Sequence, residues 1–155
     1  MRINEIEQLF EKTVSKIKLK EASIDSANST SLIDSEELVF NYDSLKGAIK
    51  SSDTIFFKEN KIIFVEFKNG NIKLIDFRLK ATEGLMTFIK HLKKEDQSLN
   101  ICFPNNFLEI HYVYNDARTP STKLEEFNKI IRLLEKEYLG TYSKLKLVKA
   151  SDFKI

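Results

Sequence analysis

Seven consecutive residues, Lys61-Ile62-Ile63-Phe64-Val65-Glu66-Phe67, constrain this chain most. Successive side chains of a strand point to opposite faces, and here β-branched and aromatic residues fill both sides until Glu66. A strand apolar on both faces belongs in the middle of a sheet that is covered on both sides. The chain must therefore build layers around this segment. Its 155 residues suffice for one domain spanning 1–155 with a real core, and are few for a two-domain enzyme.

The neighbouring pattern supplies the layers. Ile3, Ile6, Leu9, Phe10, Val14 and Ile17 recur at helical spacing and predict a helix over residues 3 to about 20. The Ser, Asp and Asn content of residues 22–35 predicts a loop, and Leu38 to Tyr42 reads equally as a short strand or as a helix start. Thr54 to Phe57 and Lys61 to Phe67 read as a hairpin, Asn69-Gly70 as a turn and Ile72 to Ile75 as a third rung. From Asp76 the period becomes helical, with Phe77, Ala81, Leu85, Phe88, His91 and Leu92 on one face. Phe107 to Tyr114 alternates as a strand. Thr122 to Glu125 reads as a capping box after Pro120, opening a helix that Gly140 ends. Lys144 to Lys149 reads as an edge strand. The expected class is α/β, a mixed central sheet flanked by helices.

Composition excludes several functions. No apolar run approaches the roughly 20 residues of a membrane span. The N-terminal dozen residues lack a signal peptide's hydrophobic block. A single cysteine, Cys102, makes neither an internal disulfide nor a zinc site alone, and beside Phe103 and Pro104 it reads as a small buried hydrophobe. The expectation is a cytoplasmic protein without a membrane partner. The net charge of +2 permits nucleic-acid binding without demanding it.

The apolar pattern breaks at the end of the central strand. Glu66 and Lys68 continue the face of Ile62 and Phe64 with two charges. Rules broken at a strand end often mark a site. If Glu59 and Asn60 form the turn, Lys58 pairs with Lys61 and Asp53 comes opposite Glu66. Opposed β-carbons on one face lie roughly 4.5–5.5 Å apart. Two carboxylates so placed repel unless a positive charge lies between them, and Mg²⁺ prefers such oxygen ligands. A one-residue slip would instead bring Ser52 or Thr54 opposite Glu66. The plain alternative is a solvated strand end with Asp53 paired to Lys68.

Asp53 followed, 13 residues on, by Glu66-Phe67-Lys68 resembles the PD-(D/E)XK nuclease superfamily, the restriction-endonuclease-like fold. The resemblance covers about residues 3–115 and implies an αβββαβ core, here with a C-terminal helix. It departs in one respect, since Ser52 stands where the family has its name-giving Pro. It implies that Asp53, Glu66 and the Phe67 backbone carbonyl hold Mg²⁺, with Mn²⁺ as a substitute. Lys68 would position the attacking water. Lys80 and Arg78 would contact phosphate or substrate, and Glu7 or Glu5 would supply an extra acid. The implied activity is metal-dependent phosphodiester hydrolysis, with DNA favoured over RNA as partner and room for a homodimer or a partner protein. An RNA or tRNA nuclease toxin on the same fold is the near alternative. A non-catalytic module binding nucleic acid or protein is the distant one. Specificity would come from loops such as 22–35, from dimerisation or from a partner.

Other polar residues carry less. His111 with Glu109 on the same side of its strand reads as structural, and His91 as a helix-end residue. The lysine clusters at 16–20, 90–94 and 144–149 could track a phosphate backbone or simply face solvent. Tyr112, Tyr114 and Tyr142 could stack on bases, but more often such residues pack in a core.

Overall fold

Glu59 and Asn60 both take left-handed backbone, with φ of 50° and 58°. A two-residue type I′ hairpin turn needs that conformation at both positions. The turn joins β5 (Thr54–Lys58) to β6 (Lys61–Lys68). Their register runs from Lys58↔Lys61 to Thr54↔Val65, as a two-residue turn requires. The computed structural model describes residues 3–25, 29–45, 52–70, 73–98 and 107–155.

On one side of the hairpin lie β4 (Leu38–Phe40) and β1 (Lys16–Lys18), both antiparallel to their neighbours. On the other lie β7 (Leu108–Tyr114) and β8 (Lys144–Lys149), both parallel. The six strands form one mixed sheet in the order β1-β4-β5-β6-β7-β8. β6 is central, where its two-sided apolar pattern belongs. Ile62, Phe64 and Val65 are wholly inaccessible to solvent, which contributes roughly 1.5–3 kcal/mol each.

The two faces are covered differently. Ile55, Ile62, Phe64, Ile110 and Tyr112 pack beneath three helices, α1 (Ile3–Thr13), α3 (Leu74–Glu95) and α4 (Ser121–Glu137). The opposite face, with Phe56, Ile63, Val65 and Val113, is covered by the short helix α2 (Leu19–Ala22), by Ile33 and by Phe153. A two-stranded hairpin, β2 (Ile24–Asp25) with β3 (Thr30–Ser31), stands apart from the main sheet. Among the described residues no helix is long and apolar enough to cross a membrane.

Several elements differ from the sequence expectation. The first helix stops at Thr13, not near residue 20, because Lys16 to Lys18 pair with β4. Sheet hydrogen bonds outweigh the continuing helical period there. Leu38 to Phe40 settle as a strand, followed by a 3-10 turn over Tyr42–Leu45. The third rung does not form. Leu74 already begins α3, and residues 71 and 72 lie outside the described ones. The capping box at Thr122 is absent, since Ser121 opens α4 with Pro120 preceding it and no side-chain cap. Within the predicted loop, Ile24–Asp25 and Thr30–Ser31 pair. Cys102, Phe103 and Pro104 lie outside the described residues.

Three buried tyrosines fix α3 against the sheet. Tyr112 donates to the Phe77 carbonyl at 3.0 Å, Tyr142 to Ala81 at 2.6 Å and Tyr42 to Gly84 at 2.6 Å. Residues 77, 81 and 84 share one helix face. The tyrosines are therefore core residues and not base-stacking platforms. Gly84 has a steric role as well, since a β-carbon there would stand 2.9 Å from Ser52 Oγ. That hydroxyl is buried and lacks a hydrogen-bond partner.

Gly84→Ala is therefore expected to lower the melting temperature, although alanine favours helix by about 1 kcal/mol. Ser52→Ala should be neutral or stabilising, because it removes an unsatisfied buried hydroxyl. In that background Gly84→Ala should become stabilising. Thermal unfolding of the four proteins as a double-mutant cycle checks this, and simple additivity would refute the steric account.

Candidate functional site

Glu66 follows Ile62 and Phe64 along the helix-covered face of β6, and it is 1% exposed. A buried carboxylate must be neutralised or hydrogen-bonded. Two lysines do this. Lys68, two residues on, places Nζ 2.7 Å from Glu66 Oε1. Lys80, from the second turn of α3, places Nζ 3.0 Å from Glu66 Oε2. The Oε2 contact is an ion pair without a well-directed hydrogen bond.

Asp53 sits one residue before β5, just beyond the last ladder pair Thr54↔Val65. Its N–H donates to the Val65 carbonyl at 2.9 Å, and its Oδ2 accepts the Phe67 N–H at 2.7 Å. In a strand the N–H and carbonyl of one residue point to the same side, so the Phe67 carbonyl also faces the Asp53 side. Lys80 Nζ lies 3.7 Å from Asp53 Oδ1 as well. One ammonium thus bridges the two carboxylates.

The charges here are strongly coupled. Burial, then the nearby Glu66 carboxylate, pushes the Asp53 carboxyl up to about 8, against the pull of Lys80, the Phe67 N–H and Lys68. Burial draws Lys80 down, but Glu66 and Asp53 outweigh it and hold the ammonium above its ordinary range. The cluster carries two acids against two bases, yet one acid keeps its proton near neutrality.

The site opens into a cavity of about 330 Å³. Asp53, Glu66, Phe67 and Lys68 form one wall, and Ser23 and Asp25 beside the β2–β3 hairpin form the other. Asp25 is held by a relay across the sheet end. Asn115 Nδ2 donates to Asn69 Oδ1 at 2.6 Å, and Asn69 Nδ2 donates to Asp25 Oδ2 at 3.2 Å. Asp25, Asn69 and Asn115 were not anticipated, because more than forty positions separate Asn69 from each partner. No local pattern could have marked them.

Among the described residues, no group of three or more His, Cys, Asp or Glu side chains is placed to hold a metal ion. A cation here would have two carboxylates and one backbone carbonyl. That set suits Mg²⁺, which keeps several waters and takes one or two carboxylates. The buried Glu66 Oε2 without a directed partner fits such a ligand.

Other anticipated residues stand elsewhere. Arg78 pairs with Glu137 of α4, with Nε 2.8 Å from Oε2, and points away from the cavity. It reaches α4 because Tyr138 draws that helix end onto the Arg78 carbonyl. Glu5 is exposed and Glu7 half-buried on α1, and neither borders the cavity. His91 is buried, not a surface residue, and its Nε2 lies 2.9 Å from Thr13 Oγ1 where α1 ends. No known protein family, curated protein or solved structure matches the chain.

The raised Asp53 carboxyl has a consequence for stability. Its folded value of about 8 exceeds the unfolded value of about 3.9. The folded chain therefore holds a proton that the unfolded chain has lost. In EDTA, stability should fall as pH rises from about 4 towards 8. Asp53→Asn should flatten that decline and raise the melting temperature at pH 8. Equal pH slopes for the two proteins would refute the assignment.

Proposed function

We propose that this chain is a divalent-metal-dependent nuclease of the PD-(D/E)XK type, with DNA favoured over RNA as substrate. The observation that carries this reading is the convergence of Asp53, Glu66, Lys68 and Lys80 on one face at the open end of the central strand. The order of α1, β4, β5, β6, α3 and β7 supports it, with β1, α2, β2 and β3 inserted between α1 and β4. It follows the order helix, three antiparallel strands, helix, strand that the resemblance implies.

In this reading Asp53, Glu66 and the Phe67 carbonyl hold Mg²⁺, or Mn²⁺ in its place. When bound, the ion supplies Lewis-acid polarisation of the phosphate and acidifies water. Lys68 lies at the mouth, with 22% of its side chain exposed. There it orients the attacking water and offsets charge on the phosphorane-like transition state. A cation held there would take over the neutralisation of the carboxylates that Lys80 now supplies. The Lys80 ammonium would then be available to a phosphate oxygen. Asp53 would have to be ionised to hold the ion, so metal affinity should rise with pH towards 8.

One observation favours a second reading. Lys68 and Lys80 already neutralise Glu66 without any metal. A non-catalytic nucleic-acid- or protein-binding module could keep the cluster as a structural ion network.

The purified chain should cleave plasmid DNA or total RNA with Mg²⁺ or Mn²⁺ and not with EDTA. Glu66→Ala and Lys68→Ala should each lose about 10²–10³-fold or more. Lys80→Ala should lose roughly tenfold to a hundredfold, on the scale of a removed transition-state contact. Arg78→Ala should keep full activity. The substrate that is cut decides DNA against RNA. Absent cleavage of either, together with Mg²⁺ binding undisturbed by Glu66→Ala, would sink the nuclease reading.

A further inference from the structure

The sheet face opposite Lys80 carries a second concentration of charge. A hollow of about 240 Å³ lies over the beginnings of β6, β7 and β8. Lys58, Lys61, Lys146 and Lys154 converge on it from four separate segments, with Glu109 and His111 at its floor. Lys144 adds its field at His111. Glu59 at the hairpin turn is the other acid on the rim. A chain whose charges nearly cancel overall is locally basic here.

The floor is a preassembled network. Glu109 Oε2 lies 3.0 Å from both His111 Nε2 and Lys146 Nζ, and Oε1 lies 3.7 Å from Lys61 Nζ. Glu109 and His111 are 7% and 9% exposed. Burying an ionic group this way seldom improves stability over apolar packing. The network does hold two lysines at fixed positions. Lys58 and Lys154 have no ion pair among the described residues. Phe56 and Ile63 line the apolar wall, and low-dielectric walls strengthen the field inside.

We propose that this hollow is a phosphate-binding site, separate from the Asp53–Glu66 cavity. Four ammonium groups without a guanidinium fork suit a polyvalent anion recognised by charge, as lysines recognise phosphate. Along β6, seven residues at about 3.3 Å each put Lys61 roughly 23 Å from Lys68. Glu66 and Lys68 also project from the face of β6 opposite to that of Lys61, so this phosphate is not the scissile one. Its source is a free phosphomonoester or the backbone of a polynucleotide. The site stands independently of the nuclease reading.

The test follows the His111 ring by NMR in EDTA, where no cleavage enters. Inorganic phosphate, a mononucleotide and a single-stranded oligonucleotide are titrated separately, against sodium chloride of equal ionic strength. Phosphate should move the His111 resonances to saturation, and chloride should not. Lys58→Ala/Lys154→Ala spares the Glu109 network and should weaken the response at least fivefold with an unchanged melting temperature. A polynucleotide source predicts that the oligonucleotide also shifts His111. Its anisotropy-measured affinity should then fall at least fivefold in the double variant, with a salt slope shallower by about 1.4. A monoester source predicts response to phosphate and mononucleotide alone. A His111 signal unmoved by all three, or moved equally in the double variant, would overturn the proposal.

Discussion

The burial of β6 on both faces is the constraint from which the other positions follow. Ile62, Phe64 and Val65 cannot reach solvent, so the sheet must extend past β6 on both sides and be covered above and below. β5 meets that need on one side through a two-residue turn, and β7 on the other through the α3 crossover. The three long helices cover one face, while lighter elements cover the other. A charged residue at the end of such a strand cannot escape into water without undoing the packing behind it. Glu66 is held inside by its neighbours, and its charge must be answered locally.

That answer depends on α3 being held at one height along the sheet. The hydroxyls of Tyr112, Tyr142 and Tyr42 bond successive carbonyls on one face of α3 and resist both sliding and rotation. Gly84 lets the segment carrying Ser52 come close, and Asp53 is the next residue. Lys80 lies one turn earlier on the same helix, so it falls between Asp53 and Glu66. An ammonium shared by two carboxylates shows where a positive charge is wanted. It also explains how the chain tolerates the pair by itself. The same sheet carries a contrasting arrangement on its other side, where one buried carboxylate gathers two lysines and a histidine. In the first place two acids share two lysines, and in the second one acid gathers several bases.

Much of this was readable along the chain, and the reason is periodicity. The β5–β6 register followed from counting a two-residue turn, and it carries the ladder to Thr54↔Val65, next to Asp53 and Glu66. The helix after Asp76 and the strand after Phe107 announced themselves by period, with boundaries off by a residue or two. Where propensity competed with pairing, pairing won. Ile17 continued a helical stripe, yet it sits in β1 opposite Val39. Among the site residues, Lys80 could be anticipated as a cation near the helix start. Of Lys80 and Arg78, the nuclease resemblance favoured Lys80 for the phosphate contact, but nothing local in the sequence gave Arg78 its partner on α4. A helix turns about 100° per residue, so two positions separate a contact with Asp53 and Glu66 from an ion pair with α4.

By itself the amino-acid sequence determined the central strand, the hairpin register, the α/β class and the meeting of Asp53 and Glu66 near the open end of the hairpin. All of these rest on interactions between residues near in sequence, or on alternation that a count can follow. Tertiary structure alone decided which helix cation bridges the carboxylates, that Asp25 faces them across the cavity, and that an Asn69–Asn115 relay holds it there. Tertiary structure also brought Lys146 and Lys154 to the hollow beside the hairpin pair Lys58 and Lys61. These groups come from segments far apart in the chain. Their meeting is set by how helices and loops pack on the sheet, and no local pattern carries that information.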